Sequence, residues 1–195
     1  MDRLLEFLGR LYTEAPWCYL SWPVAAMVVG TIAGALAGKN IARLGIVPRR
    51  LDGLPGLFTA PFVHANAAHL AANLPPFVVL GALVLRHGSE RFALLAGLLA
   101  LATGGLVWLL ARTAAHVGMS GVIFAFLGHL LGLAWLTRTP ADLAVAGGVL
   151  LYSGGMLASV APARDGTSWE SHLFGLLVGI GSAWLVPAGT AQPLF

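Results

Sequence analysis

Six apolar stretches, each close to the length a bilayer demands, restrict this chain to very few architectures. They run from about Trp22 to Gly38, Ala67 to Leu85, Phe92 to Ala111, Val117 to Leu136, Leu143 to Val160 and Ser171 to Val186. A helix needs roughly 20 mostly apolar residues to cross a hydrocarbon core. Lipid offers no partner to an exposed peptide group, so such stretches must satisfy their own backbone as helices. Only 10% of the 195 residues are charged, whereas 58% are hydrophobic; soluble domains carry about 25% charged residues. The expected fold is therefore an all-α membrane bundle of six spans in one domain, residues 21–187. Pro75 and Pro76 in the second span are expected to bend it, which membrane helices tolerate when neighbours satisfy the freed carbonyls.

The flanks are short. Residues 1–20 form an N-terminal segment in which 2–14 read as an amphipathic helix, with Leu4, Leu5, Leu8, Leu11 and Tyr12 on one face. Such a helix either lies in the membrane interface or packs on the protein surface. Residues 188–195 form a C-terminal tail. Asp2 and Glu6 precede any long apolar run, so no cleavable signal peptide is expected. Cys18 is the single cysteine, which excludes an intrachain disulfide. The net charge of +3 comes from scattered residues and marks no nucleic-acid surface. Charge does not orient the chain either. One side holds Arg3, Arg10, Arg86, Arg91 and Arg138; the other holds Lys39, Arg43, Arg49, Arg50, Arg112 and Arg164.

With six crossings, the second, fourth and sixth spans start on the same side of the membrane. His69, Ser120 and His172 lie near those three starts, so topology brings them to similar depth. An ionisable group inside a span is costly and points to function. His69 and Asn73 are four residues apart and share a helix face. Both donate hydrogen bonds, and two donors aimed at one point would stabilise an oxyanion; the alternative is that they only bond neighbouring helices. His172, Gly175 and Gly179 also share a face, and the fourth span carries Gly121, Gly128 and Gly132. Small residues at this spacing let helices come close. That approach would bring His172 within hydrogen-bond reach of Ser120; the alternative is ordinary glycine packing, with the serine bonded to its own backbone.

Other polar residues carry less. His64 lies five residues before His69, about 140° away around a helix, a poor metal clamp; it either bonds the loop or supports the His69 region. His87 sits in a turn and His116 precedes the fourth span. His129, within that span, snorkels, pairs with another helix or faces a cavity. No Cys, Asp or Glu cluster has metal spacing, and no phosphate loop is present, so neither metal nor cofactor is expected. Asp165 and Glu170 precede His172, but Glu170 could orient the imidazole only through an unusual turn. A two-residue Ser–His unit, with packing steering the histidine, is the favoured reading.

These motifs together resemble the rhomboid family of intramembrane serine proteases. His64-Ala-Asn-Ala-Ala-His69-Leu-Ala-Ala-Asn73 is similar to the family's His-x4-His-x3-Asn stretch, Gly118-Met119-Ser120-Gly121 to its Gly-x-Ser-Gly, and His172-Leu-Phe-Gly175-Leu-Leu-Val-Gly179 to its His-x2-Gly-x3-Gly. The resemblance implies a six-span rhomboid-like bundle with Ser120 as nucleophile and His172 as base. It also implies an oxyanion hole of His69, Asn73 and the Ser120 N–H, Phe124 stacked near the histidine, and Gly118 holding the loop open. Gly121, Gly175 and Gly179 support the site. The implied substrates are single-span or other transmembrane proteins, cut in or beside the bilayer of a bacterial cytoplasmic membrane. A polar cavity should admit water, residues 161–170 should cap it, and the fifth span, with Gly147, Gly148, Gly154 and Gly155, should tilt to admit substrate. Met119, Ser171 and a first loop with Arg49 and Arg50 but no adjacent Trp depart from the family pattern. The competing readings are a catalytically silent rhomboid-like protein that binds membrane clients, and a small transporter or channel. The latter expects broken helices in two related halves, a symmetry the chain lacks.

Overall fold

Caps and turns decide where each apolar stretch becomes a helix. The computed structural model describes residues 17–36, 44–162 and 166–185. The amphipathic segment at 2–14 and the tail at 188–195 lie outside the described residues. Six long helices are described: α1 (Cys18–Leu36), α2 (Ala67–Leu85), α3 (Ser89–Leu110), α4 (Ser120–Thr137), α5 (Pro140–Leu157) and α6 (Trp169–Leu185). α1 to α5 are long and apolar enough to cross a membrane, α5 together with the 3-10 turn Ala158–Val160 that extends it. α6 has 17 described residues.

α2 begins where the Asn66 side-chain oxygen accepts the His69 N–H at 2.8 Å, an N-cap worth about 1 kcal/mol. α5 begins on Thr139, whose hydroxyl accepts the Asp142 N–H at 3.1 Å, with Pro140 in the first turn. α2 continues as one helix through Pro75 and Pro76. Each proline removes an amide hydrogen, which frees the carbonyls of Ala71 and Ala72. α4 starts at Ser120 rather than at Val117, because Gly118 adopts φ +111° and breaks the helical path. Ser120 is thereby the first helical residue.

α4 is the central helix. Its residues from Gly121 to Leu130 are all buried, and its most extensive packing partner is α6. That pair meets backbone to backbone. A Cβ on Gly175 would overlap the Gly121 carbonyl oxygen, one on Gly179 the Ala125 oxygen, and one on Gly128 the Leu176 oxygen. Replacing Gly179 by valine is expected to lower unfolding stability in detergent by about 1–3 kcal/mol. A melting temperature equal to wild type would reject this account of the packing. Outward positions are apolar: Leu36, Leu151 and Leu185 are each more than 80% exposed, as suits side chains that face lipid.

The first long connection docks on the end of α3. Ile46 and His116 form an antiparallel bridge, each N–H reaching the other's carbonyl at 2.9 Å. Arg49, at φ 58°, donates from its guanidinium to the Leu109 and Ala111 carbonyls, and the Trp108 indole N–H donates to the Arg50 carbonyl. A cation on helix C-terminal carbonyls is favourable both as a hydrogen bond and against the helix dipole. Arg49 thus caps α3, while the Arg50 guanidinium pairs with Asp52, and the loop's tryptophan partner comes from α3 itself rather than from an adjacent position.

Candidate functional site

The N-terminal ends of α2, α4 and α6 converge on a cavity of about 520 Å³ whose lining includes His69, Asn73, Ser120, Phe124, Ser159 and His172. Gly166, Thr167 and Ser168, from the segment before α6, form another part of its wall. The same-side argument from topology therefore corresponds to a single chamber. Ser120 and His69 are half-buried, whereas Asn73 and His172 are buried. Among the described residues no group of three or more His, Cys, Asp or Glu could hold a metal ion.

Gly118 shapes the turn that presents Ser120. Its amide donates to the Ala60 carbonyl at 2.8 Å, and a Cβ there would lie 2.8 Å from both Cε1 and Nε2 of His69. Only glycine satisfies both the positive φ and that contact. The Ser120 N–H is the first of α4, a position with no intrahelical acceptor, and it lies at the positive end of the helix dipole.

His64 holds the turn from behind. Its Nε2 accepts the Met119 N–H at 3.4 Å, so its proton is on Nδ1, facing the Thr31 hydroxyl at 3.0 Å. Burial, with a smaller contribution from His69, pushes its pKa down to about 4. It stays neutral at physiological pH, as the acceptor role requires. The His64 and His69 rings meet edge to face with centroids 5.0 Å apart. Of the two readings of His64, both hold: it bonds the loop and it supports His69.

Asn73 donates from its amide to the His69 carbonyl at 2.8 Å. That uses one of its two N–H bonds and anchors the amide to the main chain of its own helix.

The His172 ring stacks on Phe124, with centroids 4.5 Å apart and planes 18° from parallel. Its Nδ1 lies 2.9 Å from the Ser159 hydroxyl and 3.0 Å from the Ser159 carbonyl oxygen. The ring thus has both a packing partner and a hydrogen-bonding partner.

Glu170 is paired with Arg112. Its carboxylate accepts the Arg112 backbone N–H at 3.2 Å and lies 3.5 Å from the Arg112 guanidinium. That guanidinium also donates to the Thr167 carbonyl at 2.6 Å. His116 completes the tie. Its Nε2–H donates to the Arg112 carbonyl at 3.1 Å, which leaves Nδ1 to accept from the Ser168 hydroxyl at 2.5 Å. The segment before Ser120 is therefore bound to the segment before His172. Burial pushes the His116 pKa down, partly offset by the Arg112 carbonyl and the Glu170 charge. His129, the histidine within α4, pairs with Ser182 of α6 at 2.8 Å.

Ser159, Thr31, Arg112 and His116 escape sequence reasoning. Each acts on a partner 13 or more residues away, and no local spacing marks such a pair.

A family model described as the Rhomboid domain matches residues 52–188. An uncharacterised protein of Mycobacterium tuberculosis is 33% identical, over 85% of this chain and 72% of its own length. One of Mycobacterium leprae is 35% identical, over 85% of this chain and 69% of its own. A chloroplastic rhomboid-like protein of Arabidopsis thaliana is 29% identical, over 66% of this chain and 51% of its own.

Proposed function

This chain belongs to the rhomboid family, and on that premise we propose that it is an intramembrane serine endopeptidase using Ser120 and His172. The observation that carries the reading is the meeting of Ser120, His172, His69 and Asn73 on one cavity. His172 takes the proton of Ser120 as the hydroxyl attacks a substrate carbonyl, then gives it to the departing amine. Water from the cavity hydrolyses the acyl-enzyme by the same route reversed. His69, the second Asn73 N–H and the Ser120 N–H stabilise the tetrahedral oxyanion, and removing one such donor costs about 10²–10³ in rate.

The substrates are transmembrane proteins. A substrate span must unwind to present its carbonyl, which favours Gly, Ala or Pro near the cut. Entry is between α2 and α5. α5 buries only Val149 and Ser153 along its length, and a Cβ on Gly147, Gly148, Gly154 or Gly155 would meet nothing within 4 Å, which supports a helix free to tilt. The full bundle has six spans, with α6 the sixth, in a bacterial cytoplasmic membrane; residues 21–187 form the protease unit.

The test is a fluorophosphonate probe applied to the reconstituted protein, together with cleavage of a single-span substrate. Wild type is expected to be labelled at Ser120 and to cleave; Ser120→Ala is expected to do neither. A labelled Ser120→Ala variant, or an unlabelled and inactive wild type, would reject the proposal.

A further inference from the structure

The imidazole of a catalytic histidine must hold its proton on the nitrogen away from the nucleophile, and a serine protease of the soluble kind uses a buried carboxylate to enforce this. Here the nearest acidic residue on α6, Glu170, is committed to Arg112. Ser159, in the 3-10 turn that ends α5 (Ala158–Val160), brings two of its oxygens to Nδ1.

We infer that Ser159 is the positioning residue of His172, fixing its tautomer through a paired acceptor of hydroxyl and carbonyl. The inference rests on the protease reading of the site. The proton assignment follows from the acceptors. A backbone carbonyl has no hydrogen to give, so Nδ1 must donate to it. The Ser159 hydroxyl donates its own hydrogen to the Met156 carbonyl at 2.6 Å, so toward the imidazole it too is an acceptor. Both oxygens therefore select the Nδ1–H form and leave Nε2 as the only proton acceptor of the ring. The Phe124 stack fixes the ring plane but cannot distinguish one nitrogen from the other; Ser159 does.

The arrangement differs from a carboxylate in charge and in location. Ser159 is neutral, so it steers the imidazole without adding an anion to a membrane-embedded site, where a charge is expensive. It also sits at the end of α5, the helix with the least buried surface of the six. The acceptor travels with α5, so the tautomer of the base depends on α5 being seated.

The test uses full-length protein labelled with ¹⁵N-histidine and reconstituted in liposomes, with the His172 signals assigned by subtraction of a His172→Ala spectrum. Wild type is expected to show His172 protonated at Nδ1 alone. Ser159→Ala removes the nearer acceptor. It is expected to split the signals between the two tautomers and to lower kcat about five- to tenfold at unchanged KM, the effect of one hydrogen bond. Ser159→Thr, which keeps the hydroxyl, is expected to restore both. A Ser159→Ala variant with one tautomer and wild-type kcat would overturn the inference. So would a loss that appears only in KM or only with a lowered melting temperature, or one that Thr fails to rescue. If wild type shows no Ser120-dependent cleavage, the protease reading fails, while the ¹⁵N signals still decide whether Ser159 sets the tautomer.

Discussion

Replacing His172 with alanine is expected to lower cleavage of a reconstituted transmembrane substrate by at least about 10³-fold, with little change in melting temperature. A positioned general base contributes about 10²–10⁴, and the serine hydroxyl is a weak nucleophile without one. His172 is buried, and the contacts it makes include a ring stack on Phe124 of α4 and hydrogen bonds to Ser159 at the end of α5. The α4–α6 seam below it is made by glycines and backbone, so the fold has other supports. Fluorophosphonate labelling of Ser120 should fall in parallel with turnover. Labelling that survives at the wild-type rate would remove His172 from the mechanism.

Gly118→Ala is the second large effect. A methyl group at that position meets the His69 ring at 2.8 Å, at a φ of +111° that a side chain rarely adopts. Relief requires either that His69 swing away from the cavity or that the turn before Ser120 rebuild. The first loses the proposed oxyanion donor, about 10²–10³ in kcat. The second carries a backbone cost of about 1–3 kcal/mol and also displaces the Ser120 N–H. Turnover is expected to drop at least about 10²-fold, with a measurable loss of thermal stability. Gly147→Ala is the matched control, because its Cβ would meet nothing within 4 Å; it should behave as wild type in both measurements. Equal behaviour of the two variants would show that the Gly118 contact carries no weight.

The parts of this molecule legible in the sequence are those with local signals. Span two, read as Ala67 to Leu85, coincides with α2 because Asn66 caps it and because its apolar run ends at Arg86. The glycine pattern of Gly175 and Gly179 anticipates the close approach to α4, which small residues at helical spacing permit. The start of α4 was less legible. Val117, Gly118 and Met119 continue the apolar run, and only the backbone angle of Gly118 reveals that Ser120 begins the helix. Least legible were the polar ties. Ser159 is an ordinary hydroxyl residue at a helix end, and nothing near it in the chain marks its partner. Glu170 stands two residues from His172, yet its charge is drawn to Arg112, 58 positions earlier. Hydrogen bonds between distant segments depend on where helices finish in space, and sequence periodicity is silent on that.

The α4–α6 seam has one more implication. Gly175 and Gly179 rest against main-chain oxygens of Gly121 and Ala125, one and five residues past Ser120 and three and seven past His172. The gap between Ser120 and His172 is thus gauged by peptide planes, which cannot change rotamer. Lipid-facing side chains, membrane thickness and the seating of α5 can all vary without altering this ruler. On the proposed function, adaptation to new substrates can therefore proceed around the chamber while the Ser120–His172 spacing stays set by the backbone.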